Sequence, residues 1–220
     1  MSRLYRDEHR KLQDQFQSRP LADRIEQIAL KTEMGDEERG FIESRDFFFL
    51  ATVNQEGQPT VSYKGGAPGF VKVLDANTLV FPSYDGNGMY LSMGNIAANS
   101  QLGFLFIDFE RPFRMRAQGT AEISSDPELL ALYKEADLVV KVTVSEIWMN
   151  CPRYIHRFER VKSSRYVPRD GVDTPLCEWK RVDAVQDVLR PAEVEQVRQS
   201  GGVVPTEDWI ARVQAGDENA

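Results

Sequence analysis

Cysteine and histidine are scarce in this chain of 220 residues, two of each: Cys151, Cys177, His9 and His156. Two thiols cannot build a disulfide framework, and the four residues lack the spacing of a Cys/His metal finger, so no structural metal is expected. Positive charge is also short. The 27 Lys and Arg face 34 Asp and Glu, and the net charge of −7 has the wrong sign for a surface that neutralises nucleic-acid phosphates. No run approaches the roughly 20 apolar residues of a membrane-spanning helix. The opening MSRLYRDEHRKLQDQF has no apolar stretch of the secretory kind, so a cytoplasmic location with neither membrane nor nucleic-acid partners is expected. A Walker-type phosphate loop, HExxH and GxSxG are all missing. What is present, 41% hydrophobic and 28% charged residues, is the composition of a folded globular chain with room for one large domain or two small ones.

Leu21, Ile25, Ile28 and Ala29 recur at helical spacing and predict an amphipathic helix over 21–32. A short helix, DEERGFIESR, follows with Asp36 as its cap. From Phe47 the period changes. FFFLATV and QPTVSYKG flank the turn Asn54-Gln55-Glu56-Gly57 as a hairpin, and FVKVL and TLVFP flank Asp75-Ala76-Asn77 as a second one. Met89, Met93 and Ile96 mark a helix in MYLSMGNIAANS, before the strands LGFLFIDF and FRMRAQGTAEIS. In the latter, Arg114, Arg116 and Gln118 alternate with Phe113, Met115 and Ala117, giving one wet or ligand-facing side. Asp126 and Pro127 open a helix, PELLALYKEA, as N-cap and first residue, and VVKVTVSEIWM is again a strand. Trp179, Val182, Val185 and Leu189 suggest a helix over 178–189, Pro191 can start another, and GDENA reads as a frayed acidic end. The expected class is mainly β with helices, a barrel of the α+β kind.

Two segments have the chemistry of phosphate recognition, which needs loop amides, hydroxyls and a cation. Ser62-Tyr63-Lys64-Gly65-Gly66 places all of these at a strand end, and Pro82-Ser83-Tyr84-Asp85-Gly86-Asn87-Gly88 runs into a helix N-terminus. The plain alternatives are a hairpin end with a solvated lysine and an ordinary strand-to-helix loop. Cys151 and His156 have the residue types of a thiolate and its base, but no third orienting residue is evident and a structural thiol is the preferred account. Arg153, Arg157, Arg160, Lys162 and Arg165 form a basic stretch, either a lure for an anionic substrate or a solvated surface.

The order FLATVNQEGQPTVSYKG, GFVKVLDANTLVFPS, GNGMYLSMGNIAANSQLGFLF and MRAQGTAEI resembles the pyridoxamine 5'-phosphate oxidase-like family of FMN-binding split barrels, from about Phe41 to Ser124 and plausibly on to Arg157. The resemblance implies a split β-barrel over 46–160, a helical segment over 1–45 and an extension over 161–220 packing on the same domain. It further implies a homodimer with FMN at the subunit interface. Ser62, Tyr63, Lys64 and Gly65 match the strand beside the flavin ring, Phe81, Pro82 and Ser83 the next strand end, and Asn87, Gly88 and Met89 the phosphate loop. At Met89 many relatives carry an arginine, so the cation would come from Lys64, Arg114 or Arg116. Trp148, Asn150 and Arg153 are candidates to complete the groove from the second subunit, Trp148 being equally suited to a core. The function implied is an FMN-dependent oxidoreductase exchanging hydride at flavin N5 with a small substrate; the alternatives are a flavin or haem carrier or sensor, and a cofactor-free dimeric interaction protein. Pyridoxamine phosphate oxidation itself is not implied, because the C-terminal part lacks the substrate motif of the true oxidases.

Overall fold

A computed structural model of the chain describes residues 2–217, 219 and 220. They form two compact units, Met1–Lys162 and Ser163–Ala220. In the first, helices α1 (Asp7–Gln15), α2 (Arg19–Ala29) and α3 (Asp36–Glu43) precede the strands β1 (Phe47–Val53), β2 (Pro59–Gly65), β3 (Lys72–Val73) and β4 (Thr78–Tyr84). Helix α4 (Leu91–Ala98) then leads to β5 (Gln101–Asp108), β6 (Phe113–Ser124), the single turn α5 (Pro127–Leu130) and the long β7 (Ala136–Asn150). Every strand pairing is antiparallel, in the order β2-β1-β5-β6-β7-β4-β3. No helix among the described residues is long and apolar enough to cross a membrane.

The sheet curls without closing. Strands β1 and β4 have three strands between them, yet the rings of Phe48 and Phe81 lie 5.1 Å apart, edge to face. Phe48 also meets Phe70, Phe104 and Phe106 at 5.3–5.6 Å, so an aromatic cluster fills the interior. The alternation that places it there is regular: Phe48, Leu50 and Thr52 of β1 are buried, while Phe47, Phe49 and Ala51 face the other side. At the bulge between Gln118 and Gly119, a β-carbon on Gly119 would lie 2.2 Å from the Thr143 carbonyl oxygen, so glycine alone permits this approach of β6 to β7. The architecture is the unclosed split barrel with helices, of the mixed α+β class, that the resemblance implied.

Local differences from the sequence expectations have identifiable causes. Asp126 does cap α5, its Oδ1 accepting from the Glu128 N–H at 2.8 Å, but the helix stops after Leu130. Tyr133 donates its hydroxyl to the Val80 carbonyl at 3.0 Å and Glu135 takes a left-handed φ of 59°, turning the chain directly into β7. FVKVL pairs only at Lys72 and Val73. Helix α3 starts from Gly35, whose N–H donates to the Glu38 carboxylate at 3.0 Å, and Asp36 is its first residue rather than its cap. Helix α1 gave no apolar signal because Leu12 is the one apolar residue in its segment DEHRKLQDQ.

In the second unit, residues 178–189 form two 3-10 segments, Glu178–Arg181 and Asp183–Val188, instead of one helix. The Gln186 amide donates to the carbonyls of Lys180 and Val182, and the Asp183 N–H is spent on the Val204 carbonyl, so the α-helical ladder is pre-empted. Pro191 does open a helix, α6 (Pro191–Gln199), and α7 (Thr206–Gln214) follows. Only Val182 and Val197 are buried hydrophobics among the described residues of this unit. Its interior is ionic: Lys180 Nζ meets Glu193 Oε1 at 2.7 Å and Arg190 reaches the same oxygen at 2.6 Å. Hydrogen bonds from Arg190, then from Lys180, push the Glu193 carboxyl down to about 2. Of the expected frayed end, Glu218 lies outside the described residues, whereas Asp217 pairs with Arg212 at 2.8 Å.

Candidate functional site

Strand β2 is an edge strand, bonded on one side only, to β1. Its register with β1 pairs Thr60 with Thr52, Ser62 with Leu50 and Lys64 with Phe48, so these three β2 side chains share the face of the buried β1 residues. Helix α4 packs on this face. Asn95 Nδ2 donates to Thr52 Oγ1 at 3.0 Å and to Thr60 Oγ1 at 3.2 Å, and Ser92 shares a 3.1 Å hydrogen bond with Ser62. Passing from Asn95 to Ser92 along the helix therefore passes from Thr60 to Ser62 along the strand. Continuing in that direction leads from the α4 N-terminus toward Lys64.

Lys64 is half-buried, and burial holds its ammonium below the usual lysine range. It has no ion-pair or hydrogen-bond partner among the described residues. The first-turn amides of α4, those of Leu91, Ser92 and Met93, are likewise unpartnered, as a helix N-terminus leaves them. The loop before them is wound tightly. Gly88 takes φ 76°, Asn87 Oδ1 accepts the Met89 N–H at 3.1 Å, and Tyr90 sits at the cap in a left-handed conformation (φ 46°), a costly geometry for an aromatic residue. The Met89 side chain is 67% exposed and brings no charge. A lone cation, free amides and the helix dipole together suit an anion.

The other sequence candidates fall elsewhere. Phe81 is wholly buried in the aromatic core, so its side chain is closed to any ligand, and Pro82 is buried beside it; Ser83 is half-buried on the Phe81 side of β4. Tyr63 points to the opposite face of β2 from Lys64, with its ring stacked on Phe47 at 5.4 Å. Gly65 leaves room for that ring, which a β-carbon there would approach to 2.8 Å. Register continues this outer row across five strands as Tyr63, Phe49, Leu105, Arg116 and Trp148, and the adjacent pair is Arg114 and Asn150. Arg116 is exposed and without an ion pair among the described residues. Arg114 Nε and Asn150 Oδ1 are buried without hydrogen-bond partners among the described residues, a donor and an acceptor side by side.

The register thus puts Ser62 and Lys64 on the face against which α4 packs, with the Asn87–Met89 loop leading into that helix, and Tyr63, Arg114, Arg116, Trp148 and Asn150 on the other face. Ser92, Asn95, Thr52 and Thr60 were missed; the available signal was Ser92 and Asn95, polar residues three apart on the buried side of α4. Cys151 is exposed, its thiol lowered first by the Arg153 N–H, and makes no hydrogen bond to His156 among the described residues. The basic stretch is partly neutralised, Arg160 by Asp46, while Arg157 donates to the Glu110 carbonyl at 3.1 Å. The guanidinium of Arg153 lies over the Tyr154 ring at 5.9 Å.

Residues 34–151 match the family model of pyridoxamine 5'-phosphate oxidase. Among solved structures, the chain is similar to HupZ of Group A Streptococcus at 22% identity, covering 53% of this chain and 93% of that one with a TM-score of 0.43. It is similar at 24% identity to a candidate pyridoxamine 5'-phosphate oxidase from Lactobacillus delbrueckii, with coverage of 54% and 95% and a TM-score of 0.44. An FMN-binding protein from Syntrophomonas wolfei is similar at 8% identity, with coverage of 64% and 97% and a TM-score of 0.41. No curated protein matches.

Proposed function

Because the chain belongs to the pyridoxamine 5'-phosphate oxidase family, we propose that it is an FMN-dependent oxidoreductase working as a homodimer on a small, still unidentified substrate. The carrying observation is Lys64: a half-buried cation whose ammonium has no partner among the described residues, one inner-face step along β2 from Ser62, which is hydrogen-bonded to Ser92 in the first turn of α4. An ammonium held so costs free energy unless an anion meets it.

Lys64 and the amides of Leu91–Met93 would hold the phosphate, taking the part that an arginine at position 89 would otherwise fill. The unpaired edge of β2, from Ser62 to Gly65, offers main-chain groups to the ring, and Phe81 and Pro82 contribute only through backbone. Arg114, Arg116, Trp148 and Asn150 lie on the opposite sheet face from Lys64, so one chain does not present both sets to one ligand. A homodimer resolves this by setting the outer face of one subunit against the inner-face site of the other, where the orphaned Arg114 Nε and Asn150 Oδ1 become a donor and an acceptor for the flavin. When bound, FMN supplies a two-electron hydride donor and acceptor at N5. The chain's part is to bind, orient and shield it.

The test is a visible spectrum of the purified dimer after incubation with FMN, followed by anaerobic mixing with NADH, NADPH and reduced deazaflavin. Uptake of about one FMN per chain and bleaching by one of these donors is expected. A colourless protein that takes up no FMN refutes the reading; FMN uptake with no reduction by any donor favours a carrier, and a Soret band after haem addition favours haem.

A further inference from the structure

Helix α4 buries Met93 and Ile96 in the core, which is what docking a short amphipathic helix requires. Yet its remaining buried positions, Ser92 and Asn95, are polar, and so are their partners Thr52, Thr60 and Ser62. Thr52, 1% exposed, is the sole polar member of the buried alternation of β1. The cluster is closed on itself: Thr52 and Thr60 share a 3.0 Å hydrogen bond, Asn95 donates to both hydroxyls, and none of the five residues leaves a buried polar atom unpaired. Apolar groups of the same shape would serve stability as well or better. They would not fix position, because dispersion tolerates sliding and a hydrogen bond does not.

The two fixes are spaced so as to define an axis. Ser92 and Asn95 are three residues apart, about 4.5 Å along the helix, and Thr60 and Ser62 are successive same-face residues of β2, about 6.7 Å apart. Two hydrogen-bonded points set both the direction of α4 and its register along the strand, and the next inner-face residue of β2 in that direction is Lys64. We propose that Asn95, with Thr52, Thr60 and the Ser92–Ser62 bond, is a positioning clasp that holds the first turn of α4 at Lys64, so that its amides and the ammonium act on one phosphate. The inference rests on the phosphate reading above. Asn95 touches no ligand in this account; it acts through α4.

The experiment compares the full-length protein with a triple variant, Asn95→Leu with Thr52→Val and Thr60→Val, and with the isosteric single variant Thr60→Val. Dissociation constants for FMN and riboflavin, thermal midpoints, and hydrogen exchange of the amides of residues 91–94 are measured. The expected result is an unchanged or higher midpoint in the triple variant and a lower one in Thr60→Val, which leaves an Asn95 N–H without its acceptor, with FMN binding weakened about tenfold or more in the triple variant and less in Thr60→Val, and riboflavin binding unmoved in both. Equal weakening of both ligands, or unchanged FMN binding in a folded variant, overturns the proposal. If the triple variant does not fold, Thr60→Val alone decides by the same comparison. If the wild-type protein takes up no FMN, the phosphate reading fails separately, and the exchange arm still judges the clasp: faster exchange over 91–94 in Thr60→Val supports it, unchanged exchange refutes it.

Discussion

Replacing Lys64 by methionine should pull ligand binding and stability in opposite directions. In the ligand-free protein the ammonium is half-buried with no carboxylate partner among the described residues, and burial depresses its pKa. The sign follows from linkage. Between the depressed folded value and the ordinary value near 10.4, the unfolded chain holds more protons, so stability rises with pH through that window, and at pH 7 the buried charge is a cost. Lys64→Met keeps most of the apolar stem and removes that cost, so the thermal midpoint of the ligand-free protein should hold or rise. Binding should weaken. A hydrogen bond to a charged group contributes about 1.5–3 kcal/mol, which corresponds to about 10- to 150-fold in the dissociation constant of FMN. Equilibrium titration of flavin fluorescence at fixed ionic strength gives the constant, and differential scanning fluorimetry gives the midpoint. An FMN constant within twofold of wild type, or a loss of several degrees without ligand, would refute the assignment of Lys64 as an unneutralised anion-binding cation.

Other outcomes follow from the packing. Phe48→Ala removes the ring that four other phenylalanines contact, and should cost about 3–5 kcal/mol, read as a lower urea midpoint at unchanged slope. Gly119→Ala drives a methyl group onto the Thr143 carbonyl and should lower the midpoint by the several degrees that about 1–3 kcal/mol produces, or abolish soluble expression; a wild-type midpoint would mean the bulge is not as described. Glu193→Gln removes the carboxylate charge that Lys180 and Arg190 share and should destabilise the second unit, followed by the fluorescence of Trp179 and Trp209; an unchanged unfolding midpoint would refute a structural role for this ion-pair cluster. In the wild-type protein, the stability from Glu193 is fully present above about 4.5 and is lost as pH falls toward about 2, so the same fluorescence should change over that window and not above it.

The strands were legible because their signal is local. FFFLATV is a continuous apolar, aromatic and β-branched run, PTVSYKG alternates in period two, a turn lies between them, and both pair as expected. The helix over 178–189 was not legible, because what breaks it is the Gln186 side chain and a bond from Asp183 to Val204, twenty-one residues away. Helix α7 did have a signal, Pro205 and an acidic first turn followed by Trp209, Ile210 and Val213. At the candidate site, the sequence offered residues but not the faces they occupy. Ser62, Tyr63 and Lys64 read as one motif, yet the pleat sends Tyr63 away from its neighbours, and only the register of five strands shows Tyr63, Arg116 and Trp148 in one row. Ser92 and Asn95 were hidden because a polar residue on a helix looks solvated until its partners on another element are known.

If a phosphate is read at the meeting of Lys64 and the α4 N-terminus, FMN must bind more tightly than riboflavin. The ratio of riboflavin to FMN dissociation constants for the wild-type protein tests it most directly, since the two ligands share the ring and differ only in the phosphate. A ratio of about tenfold or more, shrinking as salt is raised, is the result the account requires. Equal affinities at low salt would contradict it.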